Sequence, residues 1–139
     1  MAGYSNRTLV DKLGIKAGTR VTALHAPPTY AALLGILPEG ATLHSRLPAS
    51  STFIHRFATR RRELAAEFAR IARALTDQGS VWISWPKQSS GVETDLTENV
   101  VRELGLAEGL VDVKVCAIDE VWSGLKFVRR VANRRPKPG

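Results

Sequence analysis

Cysteine occurs once, at Cys116, and histidine three times, at His25, His44 and His55. One thiol excludes an internal disulfide and suits a reducing compartment. The histidines lack the i, i+3 or i+4 spacing of ligand pairs, so no metal site is expected. No stretch reaches the roughly 18 apolar residues of a membrane span. Residues 1–7 lack the apolar run of a signal peptide, so the expectation is a cytoplasmic protein with no membrane contact. Ser84 and Ser90 stand outside any Gly-x-Ser-x-Gly elbow, and no phosphate-binding P-loop occurs. No internal repeat or low-complexity block is present. Acid is missing from residues 129–139, and glycine from the stretch between residues 19 and 34.

What is there fits one globular domain: 139 residues, 44% hydrophobic and 24% charged. The net charge is +7, and five of the seven excess charges are Arg129, Arg130, Arg134, Arg135 and Lys137, leaving +2 for residues 1–128. Pro136, Pro138 and Gly139 disfavour helix and strand alike, so residues 133–139 read as a basic flexible tail. Such a tail is a solubilising end or an anion-seeking arm for nucleic acid or another acidic partner. Arg60-Arg61-Arg62 is a second basic run, placed where a helix starts and positive charge opposes the macrodipole.

Residues 1–19 read as an N-terminal arm, with Leu9, Leu13 and Ile15 able to pack it down. Residues 20–26 alternate as a strand ended by Pro27-Pro28. Tyr30 to Leu34 suit a short helix, and residues 41–47 a short strand. Residues 52–58 form a clear strand, with Thr59 as N-cap of the next helix. There Leu64, Phe68, Ile71, Ala72 and Leu75 make one apolar stripe, and Asp77-Gln78-Gly79 is the expected stop, with Gly79 left-handed. Val81-Trp82-Ile83 reads as a strand covered on both faces. Residues 86–94 are a polar loop. Asp95-Leu96-Thr97-Glu98 fits a capping box, with Leu96, Val100 and Leu104 facing inward and Gly105 as the stop. Residues 110–118 and 124–131 alternate and predict an antiparallel hairpin at the sheet edge. That edge leaves a homodimer open.

This order predicts an α/β protein: a three-layer Rossmann-like sandwich, mostly parallel with an antiparallel C-terminal hairpin, forming a single domain over residues 1–132. It resembles the later part of a Rossmann-like methyltransferase. Residues 52–58 and their helix stand where such enzymes have their fourth strand and helix, Ser80–Trp85 where the fifth lies, and residues 110–131 where the last two lie. More closely, nearly the whole chain resembles a family of short bacterial proteins of unknown function. That likeness is carried by Trp82-Ile83-Ser84-Trp85-Pro86-Lys87, Thr94-Asp95-Leu96-Thr97-Glu98-Asn99 and Trp122-Ser123-Gly124-Leu125-Lys126-Phe127. It implies the methyltransferase-like fold and brings no activity with it.

The departure from a methyltransferase lies in the turn after the first strand, which reads Leu24-His25-Ala26-Pro27-Pro28-Thr29-Tyr30. A glycine-rich turn is expected there, where backbone meets cofactor. Two prolines remove both amide donors and backbone freedom. No acid ends the next candidate strand to grip a ribose. No cofactor is therefore predicted. S-adenosylmethionine is the one the resemblance implies, and this turn argues against its usual mode of binding.

Ligands of open α/β sheets sit beyond the strands' carboxyl ends. This selects His25, Pro28 and Tyr30 in the first loop. In the third it selects Trp85, Lys87, Ser90 and Asp95, where a lysine, a hydroxyl and a helix N-terminus suit an anion, although the capping box occupies the free amides. Asp119 and Glu120 are adjacent carboxylates, and Trp122 joins Trp85 and Tyr30 as an aromatic that stacks on a planar ligand or serves as a core lid. His55, between Phe53 and Phe57, reads as a core histidine with a hydrogen-bond partner. No catalytic residue is assigned. The expectation is a non-catalytic methyltransferase-like domain that binds a small ligand or protein partner in the cleft. Its rivals are an enzyme with an altered or absent cofactor site using Lys87, Asp95, Asp119 or Glu120, and a nucleic-acid binder acting through the basic tail.

Overall fold

The computed structural model describes residues 8–133. Arg134, Arg135 and Lys137 of the expected tail, and residues 1–7 of the expected arm, lie outside the described residues. The elements are α1 (Leu9–Leu13), β1 (Arg20–Leu24), α2 (Tyr30–Leu34), β2 (Thr42–His44), β3 (Ser51–Phe57), α3 (Arg61–Ala74), β4 (Leu75–Pro86), α4 (Glu98–Ala107), β5 (Leu110–Ala117) and β6 (Trp122–Arg129). Short 3-10 turns lie at Gln88–Ser90 and Val131–Asn133.

The six strands form one sheet in the order β2-β1-β3-β4-β6-β5. The first four run parallel, and β6 is antiparallel to both β4 and β5. The chain leaves β1 outward to β2 and then crosses back to β3, so the sheet's switch point lies between β1 and β3. Two buried clusters make the fold three-layered. Leu64, Phe68 and Ile71 of α3 and Val101 of α4 pack on one face of the sheet. Val10 and Leu13 of α1 and Tyr30 and Leu34 of α2 pack on the other. The segment before β1 is thus part of the core, and Trp82 Nε1 donates to the Leu13 carbonyl at 2.9 Å.

The structure corrects the expected helix ends. Thr59 is not the cap of α3: its carbonyl accepts from Thr94 Oγ1 at 2.6 Å, and the N-cap position is Arg60, which makes no side-chain capping bond. The cap comes from across the fold, where Asp95 Oδ1 accepts from the Arg61 amide at 2.7 Å. Asp95 therefore does not cap α4. That is done by Thr97, whose Oγ1 accepts from the Val100 amide at 3.2 Å. A carboxylate at the α3 N-terminus also offsets the misfit of Arg60, Arg61 and Arg62 with the helix dipole. Asp95→Ala is expected to cost about 1 kcal/mol, the usual worth of a cap. Urea unfolding checks this, and an unchanged midpoint would refute the cross-fold cap.

The end of α3 is also not as expected. Gly79 does not stop it and does not adopt positive φ. The helix ends at Ala74, and Leu75 already pairs with Ser51. Phe53 pairs with Ser80, so residues 76–79 bulge out opposite Thr52. Gly79 is required there by crowding: a Cβ would come within 2.8 Å of both Leu75 Cδ1 and Thr76 Oγ1. The last α3 carbonyls are covered by Arg129, which donates from Nη2 to Leu75 O at 2.6 Å and also reaches Ala72 O. Arg129 is thus a folded β6 residue on a helix C-terminus, not part of a tail. Arg130 follows it and is exposed. Helix α4 runs through Gly105 to Ala107, burying Val101 and Gly105.

Candidate functional site

The carboxyl ends of β1 and β3 bring together the loop after β1 and the start of α3. Pro27 and Pro28 end β1 because neither has an amide to continue a ladder. Just before them His25 takes φ +56, the left-handed conformation that β-carbon crowding disfavours, and it does so alone among the described non-glycine residues. This turns the chain sharply at the switch point and leaves His25 exposed. Beyond the ends of β1 and β2 lies an open cleft of about 470 Å³, walled by Ala23, His25, Pro28, Tyr30, Ala31 and His44. His44 Nε2 lies 2.8 Å from Thr42 Oγ1.

Tyr30 does not present its hydroxyl to this cleft. It is buried, and its OH lies 2.8 Å from His55 Nδ1. His55 Nε2 in turn lies 2.8 Å from Ser84 Oγ. This buried chain joins α2, β3 and β4 and makes His55 a satisfied core histidine. Phe57 stacks on the imidazole with ring centres 4.2 Å apart. Burial pushes the Tyr30 phenol up and the His55 imidazole down to about 3.

The third loop forms a separate cleft of about 360 Å³ that includes Trp85, Lys87, Ser89, Leu96, Thr97 and Glu98. The polar residues that the sequence singled out around it, Lys87, Ser90 and Asp119, are already engaged. Lys87 Nζ donates to the Asp119 carbonyl at 2.6 Å, and the Lys87 amide to Val121 O at 2.8 Å. Ser90 Oγ donates to Lys87 O at 2.6 Å and accepts from the Val92 amide. Asp119 Oδ1 accepts from the amides of Val121 and Trp122 at 2.9 and 2.7 Å. Trp85 is buried in the core, and Trp122 meets the Phe57 ring edge-on at 5.1 Å. Glu120 and Pro28 are exposed. Of the sequence candidates, the structure gathers His25, Pro28 and Tyr30 at one cleft. It ties Lys87, Ser90, Asp119 and Trp122 into one buttress and sets Asp95 under α3.

A cleft that sequence reasoning missed lies on the α3 side of the switch point. It measures about 520 Å³ and is lined by His25, Arg56, Glu63, Ala66, Glu67 and Arg70. The signal was present as a charged residue, Arg56, inside an otherwise buried strand. A lone strand arginine does not show which side chain on a distant helix faces it.

This sheet order, with helices on both faces and a closing antiparallel pair, is a methyltransferase-like Rossmann fold. Among solved structures, the chain is similar to a SAM-dependent methyltransferase from Aquifex aeolicus (TM-score 0.63, 12% identity, 86% of each chain covered). It is also similar to magnesium protoporphyrin IX methyltransferase from Synechocystis with bound SAM (TM-score 0.57, 12% identity, 88% of this chain and 74% of that one). A third is Aeropyrum pernix fibrillarin in complex with S-adenosyl-L-methionine (TM-score 0.56, 17% identity, 86% and 73%). No protein-family model and no curated protein sequence matches the chain.

Proposed function

We propose that this protein is a non-catalytic, cytoplasmic methyltransferase-like domain that binds a small ligand in the cleft beyond β1 and β2. The observation that carries this reading is the turn after β1. It sits where open α/β sheets take ligands, yet Pro27 and Pro28 supply no amide donors and Ala26 stands where a close backbone approach calls for glycine. Besides Tyr30, whose hydroxyl is turned to His55, the ionisable side chains lining this cleft are His25 and His44, and none of its lining residues is a carboxylate. The polar residues nearest to forming a catalytic set, Lys87, Asp95 and Asp119, are spent on backbone groups.

The likeness to short bacterial proteins belongs to the same proposal. The segments that carry it include Lys87, Thr94, Asp95 and Trp122, the residues that brace this end of the sheet. Two of these solved neighbours hold S-adenosylmethionine, so S-adenosyl compounds are the first probes, followed by nucleotides. Calorimetric titration of the full chain is expected to give binding that Ala31→Trp, which fills the cleft from an exposed position, abolishes. No methyl group should pass from labelled S-adenosylmethionine to protein, nucleic acid or small acceptors. Methyl transfer would overturn the non-catalytic reading. Failure of every probe to bind, with retardation of DNA or RNA at low salt instead, would favour the basic C-terminal residues as the working part.

A further inference from the structure

We propose that the cleft between β3 and α3 is a second ligand site, adjoining the first and sharing only His25 with it, for a small zwitterion bearing a carboxylate and an ammonium group, the amino-acid class. Arg56 is the penultimate residue of β3, paired with Leu24, so it stands at the switch point beside His25. Its side chain is only 4% exposed. Burying a guanidinium is costly unless its donors meet acceptors, and there are five donors to satisfy. The fold provides poorly for them. One Nη1 donor goes to the carbonyl of the adjacent Phe57. Glu67 Oε1 sits 2.8 Å from Arg56 Nε, close enough for an ion pair. That pair engages Nε, and the remaining Nη donors are left to the cleft that Arg56 lines. Guanidinium donors that the fold itself does not fill, at the wall of a cavity, mark a place where a further partner binds. Burial pushes the Arg56 guanidinium down, while Glu67 and Glu63 hold it up.

The walls specify what that partner is. Glu63, Glu67 and Arg70 recur at helical spacing beside the Leu64–Phe68–Ile71 stripe, so α3 presents a polar face to the cleft. Glu63 and Arg70 are seven residues apart, about 10 Å along the helix. Two arginines and two glutamates line the space and cancel in charge. A simple anion would satisfy the arginines and meet the glutamates unfavourably, and a simple cation would do the reverse. A zwitterion engages both.

The test titrates the full chain with the standard amino acids, using acetate and methylamine as half-ligands. An amino acid is expected to bind, and each half-ligand to bind at least about tenfold more weakly. Glu63→Gln and Arg70→Gln change exposed residues and should each weaken binding about tenfold, the loss of one charge-assisted contact. Ala66→Trp should abolish it by filling the cleft, whereas Ala31→Trp should leave it unchanged. The proposal is overturned if no amino acid binds, if acetate binds equally well and Glu63→Gln has no effect, or if Ala31→Trp rather than Ala66→Trp removes binding. Because the two tryptophan variants block different clefts, failure of this site and failure of the site beyond β1 and β2 are read separately.

Discussion

Lowering the pH from neutrality is expected to destabilise this protein with the slope of a single proton, and His55→Leu is expected to remove that slope. His55 is fully buried between the Tyr30 and Ser84 hydroxyls, and burial holds its imidazole down at about 3 against an ordinary 6.5. The unfolded chain therefore takes up the proton first. Stability from this group is fully present above pH 6.5 and is lost progressively as the pH falls toward about 3. The slope is about 1.4 kcal/mol per pH unit, or about 2 kcal/mol between pH 6.5 and 5, where ordinary carboxylates have barely begun to titrate. At neutral pH the same substitution strands two buried hydroxyls, at about 1–3 kcal/mol each. Urea midpoints of wild type and His55→Leu across this range check both effects. Parallel pH dependence in the two proteins would mean that another group carries the slope.

His55 also shows how far sequence reasoning reached. Its place between Phe53 and Phe57 predicted a core histidine with a partner, and the strand, the alternation and the partner all hold. Tyr30, its partner, reads from the sequence as a loop aromatic beside Pro28, either stacking on a ligand or serving as a core lid. The two readings could not be joined because one hydrogen bond spans 25 residues of chain. The order of elements was legible from β1 onward, since those strands and helices carry their own periods and breakers, whereas α1, at five residues, was read only as part of an arm. The helix ends were less legible. Thr97, not the expected Asp95, caps α4, the cap of α3 comes from Asp95, and Arg129 covers the last α3 carbonyls from β6. Asp95-x-x-Glu98 is a real capping-box pattern; what sequence could not show is that tertiary contact puts its aspartate to other use.

The site divided along the same line. The rule that ligands lie beyond strand carboxyl ends located the first cleft without any motif, because topology alone sets it. Lys87 and Asp119 were singled out for their chemistry. In the fold, lysine binds the aspartate's backbone carbonyl and the carboxylate binds two amides. Their value is in fixing the β4–β6 end of the sheet. Arg56 and Glu67 meet because α3 folds back along β3, a pairing that no local spacing encodes.

Gly105→Ala is expected to destabilise the protein by about 2–3 kcal/mol, against the rule that alanine improves a helix interior over glycine by about 1 kcal/mol. Gly105 lies within α4 and is buried against β6, so propensity is not what selects it. A Cβ there would fall against the Phe127 ring, 2.6 Å from Cζ and 2.7 Å from Cδ1. The ring has no room to retreat: it is fully buried and meets Phe68 of α3 edge-on at 5.8 Å. Relief therefore requires α4 to lift from the sheet, which loosens Val101 as well. The cause is separable from any effect on the helix itself. In a Phe127→Leu background the ring is gone, and Gly105→Ala should become neutral or mildly stabilising. The double-mutant cycle should then give a coupling of at least about 2 kcal/mol. If Gly105→Ala stabilises the wild-type protein, or if the two substitutions simply add, the close packing of α4 on β6 is not what holds glycine at this position.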